Sequence, residues 1–172
     1  VGLSQRMQAF VLDAAENPFN VLEPGKRPRV TLTPSLALKD GKPFLSFAKQ
    51  AGDEQDQLLI QFFLNMVEFG MTVQEACEAP SFKTLQMFSS FGDHEKTPGG
   101  LILNSAMPAW VRKELTQMGY KPSYQDRTSG PINAIWFDRV HNTFWGGSSN
   151  HGEDYGIGWE SVSYTHLTLP TK

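Results

Sequence analysis

Apolar residues recur at helical spacing through Leu58, Leu59, Phe62, Phe63, Met66 and Val67. That pattern predicts a helix from Leu58 to Phe69 with one wide buried face. Gly70 is placed to end it in a left-handed cap. Thr72-Val73-Gln74-Glu75 reads as a capping box opening a second, short helix, which Pro80 stops. Before the long helix, Pro34 to Leu38 and Phe44 to Ala48 read as strands. Lys39-Asp40-Gly41-Lys42 lies between them, and Asp-Gly there predicts a hairpin.

Further along, Leu101 to Leu103 reads as a short strand. Trp110, Val111, Leu115 and Met118 mark an amphipathic helix with Pro108 in its first turn and Gly119 at its end. Ile132 to Phe137 reads as a strand, with Thr143 to Trp145 as its hairpin partner. The remaining stretches lack a period. Residues 1–29 read as a short apolar opening and then irregular loop, with turn signals at Asn17-Pro18 and Glu23-Pro24-Gly25. Residues 81–100 read as a strand or irregular extended segment, then a loop from Gly92. Gly146-Gly147-Ser148-Ser149-Asn150 reads as a flexible polar turn.

A chain of 172 residues is read as one domain with room for a real core. Its 40% hydrophobic and 19% charged residues are ordinary for a globular protein. The net charge of -3 leaves no basic footprint and argues against nucleic acid as a partner. One cysteine, Cys77, excludes an internal disulfide and reads as a small buried hydrophobe. No apolar run approaches a membrane span. The opening at Val1 has neither an initiator Met nor a signal-peptide pattern, so the chain reads as starting inside a longer one, and the compartment stays open. The segment from Ser161 to Lys172 carries no charge before its last residue. It resembles a translated sequencing-adaptor tail, and we expect residues 161–172 to be non-native.

For chemistry, the segment Ala51-Gly52-Asp53-Glu54-Gln55-Asp56-Gln57 stands out. A small-residue turn that opens a helix leaves several backbone N–H groups without helical acceptors, a geometry suited to an anion or an oxyanion. Asp53 is expected to cap the helix. Asp53, Glu54 and Asp56 together also suit the positive end of the helix dipole. Other constellations are thinner. Lys26-Arg27-Pro28-Arg29 reads as a solvated basic loop. The four histidines are scattered, and His151-Gly152-Glu153-Asp154 reads as a solvated loop rather than a metal site. No G-x-S-x-G elbow is present. Thr31 and Thr33 flank Leu32 and would face one side of an extended segment, where they could hydrogen-bond a substrate or serve only as strand-edge hydroxyls.

Taken in order, Lys26-Arg27-Pro28, Thr31-Leu32-Thr33-Pro34, the Lys-Asp-Gly hairpin and Ala51 to Gln57 resemble the gamma-glutamyltransferase family. Val67-Glu68-Phe69-Gly70-Met71, Glu78-Ala79-Pro80 and Gly146 to Asn150 continue the likeness. It covers roughly residues 1–159 and aligns with the later part of the small subunit, so residues 1–160 are read as that part. The resemblance implies an α/β (α+β) fold, a partial αββα sandwich of the N-terminal nucleophile hydrolase type. It implies a precursor that cuts itself and exposes an N-terminal Thr as nucleophile, whose α-amino group serves as base. The substrate would be a γ-glutamyl amide of the glutathione kind, with water, an amino acid or a peptide as acceptor. No cofactor is implied. The large subunit and the rest of the small subunit are the implied partners, and the nucleophile is expected upstream of Val1. Relatives are often exported.

Site positions carry over one at a time. Ala51 and Gly52 match a Gly-Gly pair whose N–H groups form the oxyanion hole. A left-handed backbone at Ala51 would be strained. Val30 and Thr31 match a Ser-Ser pair that binds the substrate carboxylate. Arg6 stands where the family has a Gln near the substrate. Ala9 stands where it has an Asp that pairs with the donor's α-amino group, an interaction worth about 1.5–3 kcal/mol when hydrogen-bonded. Two other readings follow from these departures: a non-catalytic binding or structural domain of the same fold, or an acylase for another amide.

Overall fold

The computed structural model describes residues 6–127 and 131–151. The segment from Ser161 to Lys172 and the Gly152-Glu153-Asp154 part of the His151 cluster lie outside them.

The predicted hairpin forms. Strand β1 (Ser35–Lys39) pairs antiparallel with β2 (Lys42–Lys49). Asp40 and Gly41 turn it with φ 53° and 73°, the doubly left-handed turn that Asp-Gly favours. Strands β6 (Ile132–Asp138) and β7 (Thr143–Ser148) complete a four-stranded antiparallel sheet in the order β1-β2-β6-β7. Strand β7 runs through Gly146, Gly147 and Ser148, so most of the expected flexible turn is strand. The reason is packing. A β-carbon on Gly147 would stand 2.8 Å from both Cγ2 and the carbonyl oxygen of Val73, so glycine here lets a helix lie on the strand.

That helix is α2 (Val73–Glu78), opened by the predicted capping box. Thr72 accepts the Glu75 N–H at 3.3 Å, and the Glu75 carboxylate accepts the Thr72 N–H at 2.8 Å. Helix α1 (Gln55–Val67) starts three residues before its first apolar position, and Gly70 beyond it is left-handed at φ 67°. Both helices cover one face of the sheet. The core joins Leu45, Ile132 and Ala134 from the strands to Phe62 of α1 and to Val73, Ala76 and Cys77 of α2. The opposite face is apolar and open. Leu36 and Ile135 pair with Ser46 on that side, and Leu36 is 59% exposed.

A second sheet has the order β3-β4-β5, with β3 (Phe82–Thr84), β4 (Gly100–Asn104) and β5 (Lys121–Gln125). Strand β4 pairs antiparallel with β3 and parallel with β5, and α3 (Ala109–Gln117) makes the crossover. Pro108 sits at the N-cap of α3 rather than within its first turn. The amphipathic face expected of α3 is only partly covered: Val111 and Leu115 are half-buried, while Trp110 is 65% and Met118 71% exposed. Strand β5 was not foreseen, because Lys-Pro-Ser-Tyr-Gln has no alternation. Its place at the sheet edge explains why Pro122 is tolerated.

The second sheet is tied to α1 by two glutamines. Gln61 Nε2 donates to the Phe82 carbonyl at 2.8 Å while its Oε1 accepts the Phe82 N–H at 3.0 Å. Gln57 does the same for Thr84, at 3.3 Å and 2.7 Å. Four residues of helix rise about 6 Å and two residues of strand about 6.7 Å, so the two spacings match. The glutamine amides thereby occupy the hydrogen-bonding edge of β3 as a neighbouring strand would.

Candidate active site

The turn from Gln50 to Glu54 carries the chain from β2 into α1. Ala51 and Gly52 are half-buried. Among the described residues, neither of their N–H groups donates to a protein acceptor. Neither residue has a positive φ, so the strain expected at Ala51 is absent and alanine is as suitable there as glycine. The amides precede the first turn of a 13-residue helix, whose dipole favours negative charge at this end.

Gln55, 3% exposed, holds the turn in place. Its Nε2 donates to the Ala51 carbonyl at 2.5 Å, and its backbone N–H donates to the Gly52 carbonyl at 3.2 Å. Its Oε1 accepts the Thr33 hydroxyl at 2.9 Å. Two residues earlier, Thr31 accepts a hydrogen bond from Arg6 Nη1 at 3.2 Å and is 8% exposed. Arg6 and Thr31 are therefore brought together, and the segment holding Thr31 is bonded to the turn through Thr33. Val30 faces outward at 59% exposure. Ala9 is 3% exposed at the end of a 3-10 turn (Arg6–Ala9), and its carbonyl accepts from the Asn20 side-chain amide.

Asp53 does not cap α1. The N-cap is Glu54, at φ -80° and ψ -3°, with no side-chain cap bond. Asp53 instead accepts from the Ser90 N–H and hydroxyl and pairs with Arg29 Nη2 at 3.2 Å. Arg29 of the basic cluster is thus engaged in the structure rather than merely solvated. Glu54 pairs with Lys83 at 3.3 Å. Beside them, burial lowers the Lys49 ammonium from 10.5 to about 8, with Glu54 opposing and Lys83 reinforcing the shift. Lys49 is 6% exposed.

Cys77 and the Asp138–His141 pair lie outside this turn. Burial raises the Cys77 thiol to about 12, with Glu78 adding to the effect. His141 Nδ1 lies 2.6 Å from Asp138 Oδ2, and that side-chain hydrogen bond is the main cause holding the Asp138 carboxyl below its usual range. Among the described residues, no three His, Cys, Asp or Glu side chains gather as metal ligands, and no helix is long and apolar enough to cross a membrane.

The family model described as gamma-glutamyltranspeptidase matches residues 1–159. The chain belongs to the gamma-glutamyltranspeptidase family. It is 29% identical over 147 residues to the glutathione hydrolase proenzyme of Bacillus subtilis (strain 168), a match spanning 84% of this chain and 23% of that protein. It is 29% identical over 118 residues to the acylase ACY 1 proenzyme of Pseudomonas sp. (strain SE83), covering 68% of this chain and 19% of that one. Among solved structures, an acivicin-inhibited gamma-glutamyltranspeptidase superposes with a TM-score of 0.71 at 26% identity, over 88% of this chain and 81% of that one. The two sheets and three helices are therefore part of the N-terminal nucleophile hydrolase fold of this family. The chain spans under a quarter of the length of the glutathione hydrolase.

Two residues that organise the site escaped the sequence reading. Gln55 carried a signal, a glutamine in the first turn of a helix otherwise apolar on its inner face. Ser90 carried none, because its partner Asp53 is 37 residues away.

Proposed function

We propose that this chain supplies the oxyanion turn and part of the substrate wall of a gamma-glutamyltransferase-like acyl transferase or hydrolase. In this reading a Thr upstream of Val1 attacks the γ-glutamyl amide of a glutathione-like donor. The carbonyl oxygen gains charge and accepts from the Ala51 and Gly52 N–H groups. The amine leaves, and the acyl group passes to water, an amino acid or a peptide. The observation that carries the reading is the pair of amides at the start of α1 that find no acceptor among the described residues, bonded through Gln55 to the segment holding Thr31.

Arg6 and Thr31 would contact the donor's carboxylate end, with Ala9 buried near Arg6 and Val30 next to Thr31 but turned outward. Ala9 and Val30 favour a second reading, an acylase for an amide whose acyl part lacks the glutamyl charges. Similarity to an acylase proenzyme supports it. The open face with Leu36, Ile135, Phe137 and Phe144 suits a second sheet from the remainder of the same precursor, as an αββα sandwich needs. Residues 161–172 are read as a tail outside this unit.

The test is a panel of γ-glutamyl and other acyl anilides offered to the full-length precursor after self-cleavage. Turnover of γ-glutamyl anilide supports the first reading, and turnover of other acyl anilides alone supports the second. A precursor that folds, lacks a Thr at its cleavage position and turns over neither would leave a binding domain. Purified residues 1–160 should show no amidase activity, and turnover by that piece would overturn the upstream placement of the nucleophile.

A further inference from the structure

Asp53 follows the proposed oxyanion turn and reaches away from its own helix. Its Oδ2 accepts the Ser90 N–H at 2.6 Å and its Oδ1 accepts the Ser90 hydroxyl at 2.5 Å. Arg29 pairs with the same Oδ1 and also donates to the Phe88 carbonyl at 3.3 Å. Ser90 is 2% exposed, so breaking these bonds would strand buried donors. The next residue, Phe91, lays its ring on the turn. A β-carbon on Gly52 would stand 3.0 Å from Phe91 Cε2. Because Gly52 is not left-handed, glycine serves the approach of that ring and not the backbone angle.

We propose that Asp53 is a positioning residue of the acyl site, and that the Ser90 loop it holds sets Phe91 as an apolar wall on the Gly52 edge of the oxyanion turn. This rests on the acyl-transfer reading above. A ring in that place limits the access of water to the Gly52 amide, which strengthens its bond to a developing oxyanion. The charge-assisted bonds from Asp53 keep the ring there without touching the substrate.

The experiment uses the self-processed full-length protein, with kcat expressed per acylated site counted from the burst of aniline released from an anilide substrate. Asp53→Asn should lower kcat roughly tenfold to a hundredfold, less than or similar to removal of an oxyanion donor, with KM within about threefold. Amide exchange at Ser90 and Phe91 should quicken in the same variant. Ser90→Ala should lower kcat less, and adding it to Asp53→Asn should cost nothing further, because both break one latch. Phe91→Leu should lower kcat while leaving exchange at Ser90 slow. An active wild type in which Asp53→Asn keeps its kcat per site would overturn the positioning role alone. If Asp53→Asn does not fold, unchanged kcat in both Ser90→Ala and Phe91→Leu has the same force. A folded wild type that turns over no amide removes the acyl reading, and this role with it.

Discussion

Gln61 and Phe82 exchange two hydrogen bonds, the side-chain amide of one matching the backbone amide of the other at 2.8 Å and 3.0 Å. Gln57 repeats the arrangement one helical turn earlier on Thr84, so α1 stands in for a strand along β3.

Replacing both glutamines with Ala should therefore loosen the second sheet. Both sites are partly solvated, so water recovers some of the loss, and the double variant should cost about 1–3 kcal/mol. Urea unfolding of the full-length protein would report it as a lower midpoint at an unchanged slope. A midpoint equal to wild type would mean the glutamines contribute no net stability.

Two glycines should respond for different reasons. Gly147→Ala drives a β-carbon into the Val73 backbone, which cannot yield as a side chain would, and should cost about 2–3 kcal/mol. Gly70→Ala meets open space but keeps φ at 67°, so only backbone strain opposes it, about 1 kcal/mol. Melting of the two variants side by side gives the order, and a Gly70 variant less stable than the Gly147 one would contradict this packing.

Cys77 should be inert while the fold is intact. Its thiol, raised to about 12 by burial, carries almost no thiolate at pH 8. A disulfide exchange reagent at that pH should label it only after denaturant is added. Rapid labelling of the native protein would show that the α2 face is open.

Lys49 should make stability rise with pH. Its folded value is lowered from 10.5 to about 8, so between those values the unfolded chain binds more protons than the folded one. Stability then increases as pH climbs through that window, and below it the buried charge carries a cost on the order of 3 kcal/mol. Lys49→Met should flatten the slope between pH 8 and 10 and stabilise the protein at pH 7. An unchanged slope would place the Lys49 ammonium in water.

Much of the architecture could be read before any coordinates, and the reason is local. Asp40-Gly41 selects its turn through backbone angles. Thr72 and Glu75 close a capping box within one helical turn. The Leu58 to Val67 face is set by a repeat that needs no distant partner to be seen. Misreadings arose where distant residues decide. Gly146 and Gly147 look like a turn until Val73 packs on them, and Asp53 looks like a cap until Ser90 and Arg29 claim its oxygens.

Sequence alone thus determined the elements whose cause lies within a few residues: the hairpin, both helices on the first sheet and the small-residue turn between β2 and α1. Tertiary structure decided what each side chain in that turn does. Hydrogen-bond partners of Gln55 and Asp53 come from segments 22 and 37 residues away, and no local pattern encodes a contact of that separation. Strand β5 belongs to the same class, since its pairing with β4 supplies the order that its own residues lack.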